Sequence, residues 1–436
     1  METHPSSIRP SSAAAIADIE AAWADLRAIV GEEHVRAAAP DDSMDGVAPR
    51  MVLEPGTAGE LARVLKTATE AGLHVIPCGG ATKMEWGNPP RGADLILSTR
   101  RLNRVVEHAW ADMTATVEAG CAFQQLQQTL AQHGQRLALD PLWPETATVG
   151  GILATSDSGP LRIRFGSLRD LLIGITLALP DGTLAKSGGK VVKNVAGYDL
   201  PKLAIGSLGT LGVITQATFR LHPLPRETRT LCFRAQHYRA MRELILSILD
   251  STLVPTGLQV RAADSGPPEI DVRFEGTAAG CEEQIAKALR LASGSEKVEP
   301  TIDVWNARPA LWNGNEPSLV AKFSLLPANL AAFFDLLRTT SEKLRLSWRA
   351  VAQGVGVGLL RFEGPTCSAM LGEVRDLRQH LEQSGGSFVV LRCPAEIKSQ
   401  TDVWGSAGDA LPLMRNVKAQ FDPTASLNPG RFIGGI

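Results

Sequence analysis

The sequence predicts an α+β protein built of two unlike halves, and three features predict it. Up to about residue 225, short strands and amphipathic helices alternate around three glycine-rich segments. From residue 226 onward the order β-α-β-β-α appears twice in coarse outline, and an antiparallel sheet with helices on one face is the simplest way to bury such a pattern. Between the two, Pro223-Leu224-Pro225-Arg226 punctuates the chain. A chain of 436 residues is also too long for one small core. The expected division is a helical segment at 1–44, a glycine-rich domain at 45–225, an antiparallel domain at 226–405, and a tail at 406–436 that returns to the first domain.

Residues 12–30 carry Ile16, Ile19, Trp23, Leu26, Ile29 and Val30 near helical spacing, which marks an amphipathic helix packed on the body of the protein or on a partner. Thr57 and Glu60 form a capping-box pattern ahead of a helix through Ala71, with Leu61, Val64, Leu65 and Ala68 on one face and Gly72 at its end. Residues 73–76 read as a buried strand that empties into Pro77-Cys78-Gly79-Gly80-Ala81-Thr82-Lys83. Strands at 95–98, 104–108 and 114–118 follow, then a helix at 123–133 closed by Gly134. Residues 140–160, rich in Pro, Gly and Thr, are expected to be irregular. Strands at 173–179 and 183–185 flank the turn Pro180-Asp181-Gly182. In the second half, strands are expected near 229–234, 257–262 and 270–275 with helices near 238–249 and 280–292. The repeat places strands near 318–325, 347–352, 356–362 and 387–392 with helices near 328–344 and 368–383.

Composition excludes several functions. Hydrophobic content of 44% and charged content of 21% are those of a soluble globular chain. A formal net charge of -2 with no Lys/Arg run argues against a nucleic-acid binder. Met-Glu-Thr-His-Pro provides no basic stretch ahead of the Ala-rich segment, and Asp18, Glu20 and Asp25 interrupt residues 12–30, so neither a signal peptide nor a membrane span is expected. Cys78, Cys121, Cys232, Cys281, Cys367 and Cys393 are dispersed, with no Cys-x-x-Cys, and the eight histidines form no close pair; reduced buried thiols and no metal site are expected.

The three glycine segments carry the chemistry. The first, at 77–83, follows a strand and places successive N–H groups where Gly79 and Gly80 are expected at positive φ, a nest suited to a pyrophosphate. The second, Thr146-Ala147-Thr148-Val149-Gly150-Gly151-Ile152-Leu153-Ala154-Thr155, is uncharged and rich in hydroxyls; its Gly-Gly at a helix start is either an anion site or a device for tight packing. In the third, Gly206, Gly209 and Gly212 recur between a helix-like stretch and a β-branched strand, so that backbone can approach a ligand. This is not the Gly-x-Gly-x-x-Gly of a Rossmann turn, and no Walker motif is present.

Together these segments, over roughly residues 50–225 and the tail, resemble the FAD-binding domain of the vanillyl-alcohol oxidase / p-cresol methylhydroxylase (PCMH-type) superfamily. The resemblance implies one FAD. It puts the pyrophosphate at Pro77, Cys78, Gly79, Gly80, Ala81 and Thr82, and it lays Thr146, Ala147, Thr148, Gly150, Gly151, Ala154 and Thr155 along pyrophosphate and isoalloxazine. Gly209, Gly212 and Ile214 fall on the adenine side, and Pro141, Ser158, Gly159 and Gly166 join the flavin neighbourhood. Residues 79–88 contain no His or Cys to tether the flavin, so FAD is expected to be non-covalent, with Cys78 a packed thiol. Trp86, Trp143, Trp305, Trp312 and Trp404 are candidates to wall a flavin pocket or an interface, although scattered tryptophans ordinarily belong to cores.

Lys193-Asn194-Val195-Ala196-Gly197-Tyr198-Asp199-Leu200, Gly206-Ser207-Leu208-Gly209, Phe421-Asp422-Pro423 and Asn428-Pro429-Gly430-Arg431 are similar to the FAD-binding E subunits of bacterial glycolate oxidases. Their sister D subunits, and the D-lactate and D-2-hydroxyglutarate dehydrogenases, usually carry Ser-Glu-Gly where this chain has Ser207-Leu208-Gly209. They also carry a His-x-Gly-Asp-Gly-Asn-x-His motif in the cap, which supplies metal ligands and a proton acceptor. Here the comparable segment reads Ala352-Gln353-Gly354-Val355-Gly356-Val357-Gly358, without histidine or acid, and Gln353 cannot be a base. The catalytic base stays open among Lys193, Tyr198, Asp199, Arg162, Arg164 and Arg169; Tyr198 and Asp199 are more often structural in such a loop.

The resemblance implies an FAD-dependent oxidoreductase acting on CH–OH donors. It would be one subunit of a glycolate oxidase complex, beside a catalytic FAD-containing sister subunit and an iron–sulfur subunit. Glycolate, a small 2-hydroxy acid, would become glyoxylate with electrons passed to an acceptor other than NAD. Cytoplasmic residence is expected, with peripheral attachment at the inner membrane only through partners. Two alternatives stand beside it: a self-sufficient flavin dehydrogenase of another alcohol or 2-hydroxy acid, and a non-redox assembly subunit.

Overall fold

The computed structural model describes residues 13–190, 199–299, 303–315 and 317–436. The motif at 193–198, with Lys193 and Tyr198, lies outside the described residues.

The first core forms because two amphipathic helices cover one small sheet. Ala13–Val30 lays Trp23, Leu26 and Val30 onto Leu61, Val64, Leu65 and Ala68 of Ala58–Glu70. Thr57 Oγ1 accepts the Glu60 N–H at 3.1 Å, while the Glu60 carboxylate takes the N–H of Gly56 rather than that of Thr57. At the other end Gly72 sits at φ +66°, and the N–H groups of Gly72 and Leu73 close on Thr69 and Ala68. Because Leu73 finishes the helix, the strand expected at 73–76 begins later, at Val75–Cys78, and runs further toward the glycine loop. The sheet order is Val35–Ala37, Met51–Leu53, Leu95–Ser98, Val75–Cys78, with the first pair antiparallel and the others parallel.

The second sheet is antiparallel, in the order Val105–Ala109, Thr114–Glu118, Val213–Arg220, Leu172–Ala178, Leu184–Gly188. Phe123–Ala131, Val149–Thr155 and Leu200–Ala204 join a core with Val117, Ile175, Leu177 and Phe219. Residues 140–160 are therefore not wholly irregular. A seven-residue helix holding two glycines is too short to declare itself by periodicity.

The third sheet has eight antiparallel strands, and its order reads as two mirrored halves: Glu296–Val298, Glu227–Arg234, Glu269–Gly276, Gly257–Ala263, then Ser347–Gln353, Val357–Glu363, Ser318–Ser324, Ser387–Arg392. Strand parity decides the two faces. Leu258, Val260, Ile270, Phe274, Phe323, Ala350, Leu360 and Phe362 point into one core with Tyr238–Leu249, Ala278–Leu291, Leu330–Leu344 and Cys367–Gln383. The intervening positions, among them Arg261, Asp271, Arg273, Lys322, Gln353 and Arg361, face the other way. That charged face receives residues 303–315 and is turned toward the first half of the chain, because Trp86 and Leu142 pack there with Leu311, Val351, Leu359 and Leu391.

The tail folds back beside the first sheet. Asp422, fully buried, accepts from Lys418 Nζ, Ser426 N and Oγ, and Leu427 N, and so folds the chain back after the helix Leu411–Phe421. Val75 N donates to Ser426 O and Asn428 N to Val75 O, adding the tail in parallel beside the strand that leads to the glycine loop.

Glu373 is a pH-sensitive point in the third core. It is fully buried between two helices, one carboxylate oxygen is held by Thr340 and Ser341, and the other has no partner. Burial pushes its carboxyl from 4.5 up to about 7. A folded value above the unfolded one means that the proton favours the fold; stability falls as pH rises from about 4.5 to about 7 and stays lower above that. Glu373→Gln should therefore raise the melting temperature more at pH 8 than at pH 5, as thermal denaturation followed by circular dichroism would show.

Candidate flavin site

The first loop owes its shape to contact rather than to positive φ. The structure corrects the expectation: Ala81 takes φ +60°, whereas Gly79 and Gly80 do not enter the left-handed region. They are glycines because a Cβ on Gly79 would collide with Thr148 Oγ1, and one on Gly80 with the backbone oxygen of Thr146. The loop thus lies flush against the second glycine segment. Among the described residues, the N–H groups of Gly79, Gly80 and Thr82 have no hydrogen-bond partner, so a nest of donors is open.

In the second segment both readings of the Gly-Gly pair hold, one for each glycine. Gly150 N donates to Ala119 O at 2.7 Å and Val149 N to Cys121 O at 2.9 Å, and a Cβ on Gly150 would sit 2.8 Å from that of Ala119. Gly150 is there for packing. Gly151 N is held only by Thr148 Oγ1, at 3.4 Å, and turns toward the first loop. The third segment is tied to the same helix, since Gly206 N donates to Leu153 O and Leu208 N to Ala154 O. Positive φ occurs at Gly206, Leu208 and Gly209 but not at Gly212, where a Cβ would meet Leu179 and the oxygen of Ala178 at 3.2 Å, a tight fit.

Two adjoining clefts, of about 70 and 60 Å³, run along this seam. Gly80, Ala81, Thr82, Thr148 and Thr155 line the first, Cys78, Gly150, Gly209, Gly212 and Ile214 line the second, and Pro77, Gly79, Gly151 and Ala154 line both. No carboxylate lines either, while one buried guanidinium, that of Arg431, lines the first. Open amides, a cation and the apolar wall of Pro77, Val213 and Ile214 fit a dinucleotide such as FAD, whose diphosphate wants donors and whose rings want apolar contact. Thr146 and Ala147 back the loop without lining a cleft, and Pro141 is buried elsewhere. Gly166, at φ +82°, ends a short helix above Asp170. Lys83, Thr99, Leu208, Asn428 and Arg431 line the clefts although the sequence did not single them out as cofactor residues. Cys78 is a packed thiol, beside Met44, Ile76 and Ile96, and burial raises its pKa.

A third, small cavity, of about 20 Å³, lies between this half and the charged face of the eight-stranded sheet. Trp86, Leu142, Asp157, Ser158, Arg308, Lys322 and Gln353 wall it. Asp157 accepts from Leu142 N at 2.7 Å and faces Lys83 at 3.2 Å and Arg308 at 3.0 Å. Burial opposes its charge, but the two cations hold its carboxyl below the ordinary value. Burial pushes the Lys83 and Lys322 amines down. Gln353 Nε2 donates to Ser158 O at 3.3 Å, and Gly159 leaves room for the Arg308 guanidinium.

Of the base candidates named from sequence, none of the four that lie among the described residues lines this cavity. Asp199 is exposed, caps Leu200–Ala204 and pairs with Lys202; Arg164 and Arg169 are exposed, and Arg162 is half-buried. Trp143 and Trp312 stack edge to face beside Trp86, whereas Trp305 covers Arg273 and Trp404 meets Phe432. Among the described residues, no three His, Cys, Asp or Glu side chains are grouped to hold a metal, and no helix is long and apolar enough to cross a membrane. A wider cleft on the outer part of the eight-stranded sheet has its arginines matched by Glu269, Asp271 and Glu363.

Gly80→Ala is expected to lower flavin retention at least about tenfold, because an overpacked seam must open by more than a side-chain adjustment. Gly151→Ala, whose Cβ would meet only Thr148 Oγ1 at 3.3 Å, should retain most of it. Flavin absorbance per protein after desalting measures both.

Comparison with known proteins agrees with this geometry. Residues 49–188 match the family model of an FAD binding domain. Glycolate oxidase subunit GlcD of Bacillus subtilis is 24% identical over 417 residues, covering 88% of each chain. The mitochondrial D-lactate dehydrogenase (cytochrome) of Arabidopsis thaliana is 26% identical over 423 residues, 88% of this chain and 73% of that one. Among solved structures, p-cresol methylhydroxylase with substrate bound superposes with a TM-score of 0.76 over 95% of this chain and 96% of its own, at 15% identity, a likeness of fold. Residues 49–188 are thus an FAD binding domain in a chain that shares the fold of p-cresol methylhydroxylase, and FAD is its cofactor.

Proposed function

We propose that the chain is the FAD-binding subunit of a glycolate oxidase complex, in which glycolate is oxidised to glyoxylate and the electrons leave toward an acceptor other than NAD. The observation that carries this reading is a flavin seam fitted with open amides next to a cavity that lacks the histidines and acid of a 2-hydroxy-acid dehydrogenase cap. Arg308 and Lys322 supply two cations that would hold a small carboxylate, and Trp86 and Leu142 would exclude water from it. When bound, the isoalloxazine supplies the hydride acceptor. What this chain must add is a group to take the hydroxyl proton, and Gln353 cannot. The relatives whose names include glycolate oxidase and D-lactate dehydrogenase support the substrate class. The dispersed cysteines support electron transfer to a separate iron–sulfur subunit beside a catalytic sister subunit.

Lys322 favours a second reading, a self-sufficient dehydrogenase, because its surroundings favour the neutral amine. One experiment separates the two. Anaerobic glycolate added to the isolated chain should leave the flavin spectrum oxidised over minutes, since a missing general base costs roughly a factor of 10² to 10⁴. Adding the sister flavin subunit and the iron–sulfur subunit should restore dye reduction. Bleaching of the lone chain that Lys322→Met abolishes would replace the first reading by the second. Acid precipitation should leave the yellow colour in the supernatant, as a non-covalent flavin requires.

A further inference from the structure

Among the described residues, six basic side chains are buried: Lys83, Arg308, Arg361, Lys398, Lys418 and Arg431. Five face a carboxylate: Lys83 and Arg308 meet Asp157, Arg361 meets Glu363 at 2.7 Å, Lys398 meets Asp45 at 2.7 Å, and Lys418 meets Asp422 at 2.6 Å. Arg431 forms no such pair. Only 4% exposed, it donates to the backbone oxygens of Met84 and Trp86 and reaches Met44 Sδ at 3.9 Å, while its Nε has no partner. Asp45, the acid whose field it feels first, is engaged by Lys398. A buried guanidinium answered only by neutral acceptors is costly unless an anion completes it.

The position of Arg431 says which anion. It lines the cleft into which the unpartnered amides of Gly79, Gly80 and Thr82 open. Its backbone is fixed: the Arg431 oxygen accepts from Asn88 N at 3.0 Å and Trp404 Nε1 at 2.9 Å, and its N–H donates to Asn428 O at 3.2 Å. We propose that Arg431 is the counter-charge of the FAD diphosphate, so that the flavin site is completed by the 422–431 segment and not by the glycine loops alone. The proposal rests on the FAD reading of the seam. A guanidinium presents a fork of donors to phosphate oxygens, and its charge complements what amides alone leave uncompensated. The tail docks on Val75 and Leu208, so the cation arrives only when that docking is made.

The test is an FAD titration of the ligand-free full-length chain, followed by quenching of flavin fluorescence, for wild type, Arg431→Lys and Arg431→Gln. Arg431→Gln should weaken FAD about 10- to 100-fold, the scale of a charge-assisted contact, and Arg431→Lys less. ADP, which carries the diphosphate without the isoalloxazine, should lose its power to displace FAD by a similar factor in Arg431→Gln. A merely structural arginine would lower the melting temperature of the ligand-free variant without changing the affinity of the folded fraction. Affinities of the variants for FAD and ADP within about twofold of wild type would overturn the assignment. Should Arg431→Gln fail to fold, Arg431→Lys and a wild-type comparison of ADP with adenosine decide: equal displacement of FAD by the two would overturn it. Failure of the wild-type chain to bind FAD would instead overturn the flavin reading itself.

Discussion

One backbone contact governs the site: Gly79 and Gly80 lie flush against residues 146–148. The four-stranded and five-stranded sheets share no strand, so their relative placement depends on this seam and on the packing of Ala178 and Val213 into the first core. Any side chain on Gly80 would part the loops and move the open amides away from Gly151 and Thr155. The same seam is closed from a third side by Leu208, which bonds Ala154, and by Asn428, which bonds both Val75 and Leu208. Three stretches far apart in sequence therefore meet over the amides of a single loop, and the flavin clefts are the gaps that this meeting leaves.

The two ends of the site differ in charge. No acid lines the seam, so a diphosphate meets donors, Arg431 and Lys83, whose charge Asp157 already engages. The cavity under the eight-stranded sheet gathers Lys83, Arg308 and Lys322 around one acid, Asp157, an excess of positive charge in a water-poor space. Lys83 joins the two ends, because it closes the first glycine loop and reaches Asp157 across the rings of Trp86 and Trp143. Arg308 is delivered by residues 303–315, which Arg349 and Arg361 hold by the oxygens of Leu311, Asn313 and Asn315. A residue that would act on substrate thus depends on arginines that never reach it.

Much of this was written locally in the sequence. Thr57, Glu60 and Gly72 mark their helix because caps act over four residues, and the antiparallel repeat shows because strand and helix periods differ. What local pattern hid was of two kinds. The seven-residue helix after Thr148 and the late start of Val75–Cys78 are boundary effects set by tertiary hydrogen bonds. The charges of the site were hidden by distance: Arg431 meets Met84 and Trp86 across some 345 residues, and Lys322 and Arg308 sit on elements whose pattern reads only as sheet and loop. Gly79 and Gly80 were legible as special but not why, since crowding and positive φ demand the same residue.

The cavity also narrows which atom could take a proton from a substrate hydroxyl. Asp157 is the nearest carboxylate, but two cations hold it below its ordinary value, and a carboxylate so stabilised is a weak base. Lys83 faces that same acid and two aromatic rings, which engages its charge. Gln353 has an unpartnered amide oxygen that can accept a hydrogen bond but not keep a proton. Lys322 alone combines a lowered amine with no close carboxylate of its own among the described residues, and burial is the reason. A carboxylate entering beside Arg308 would restore the attraction that burial removes and draw Lys322 back toward its charged form. A small carboxylate would thus favour the charged form of the one amine here that burial destabilises and no acid of its own engages, which leaves Lys322 a poor acceptor for the hydroxyl proton.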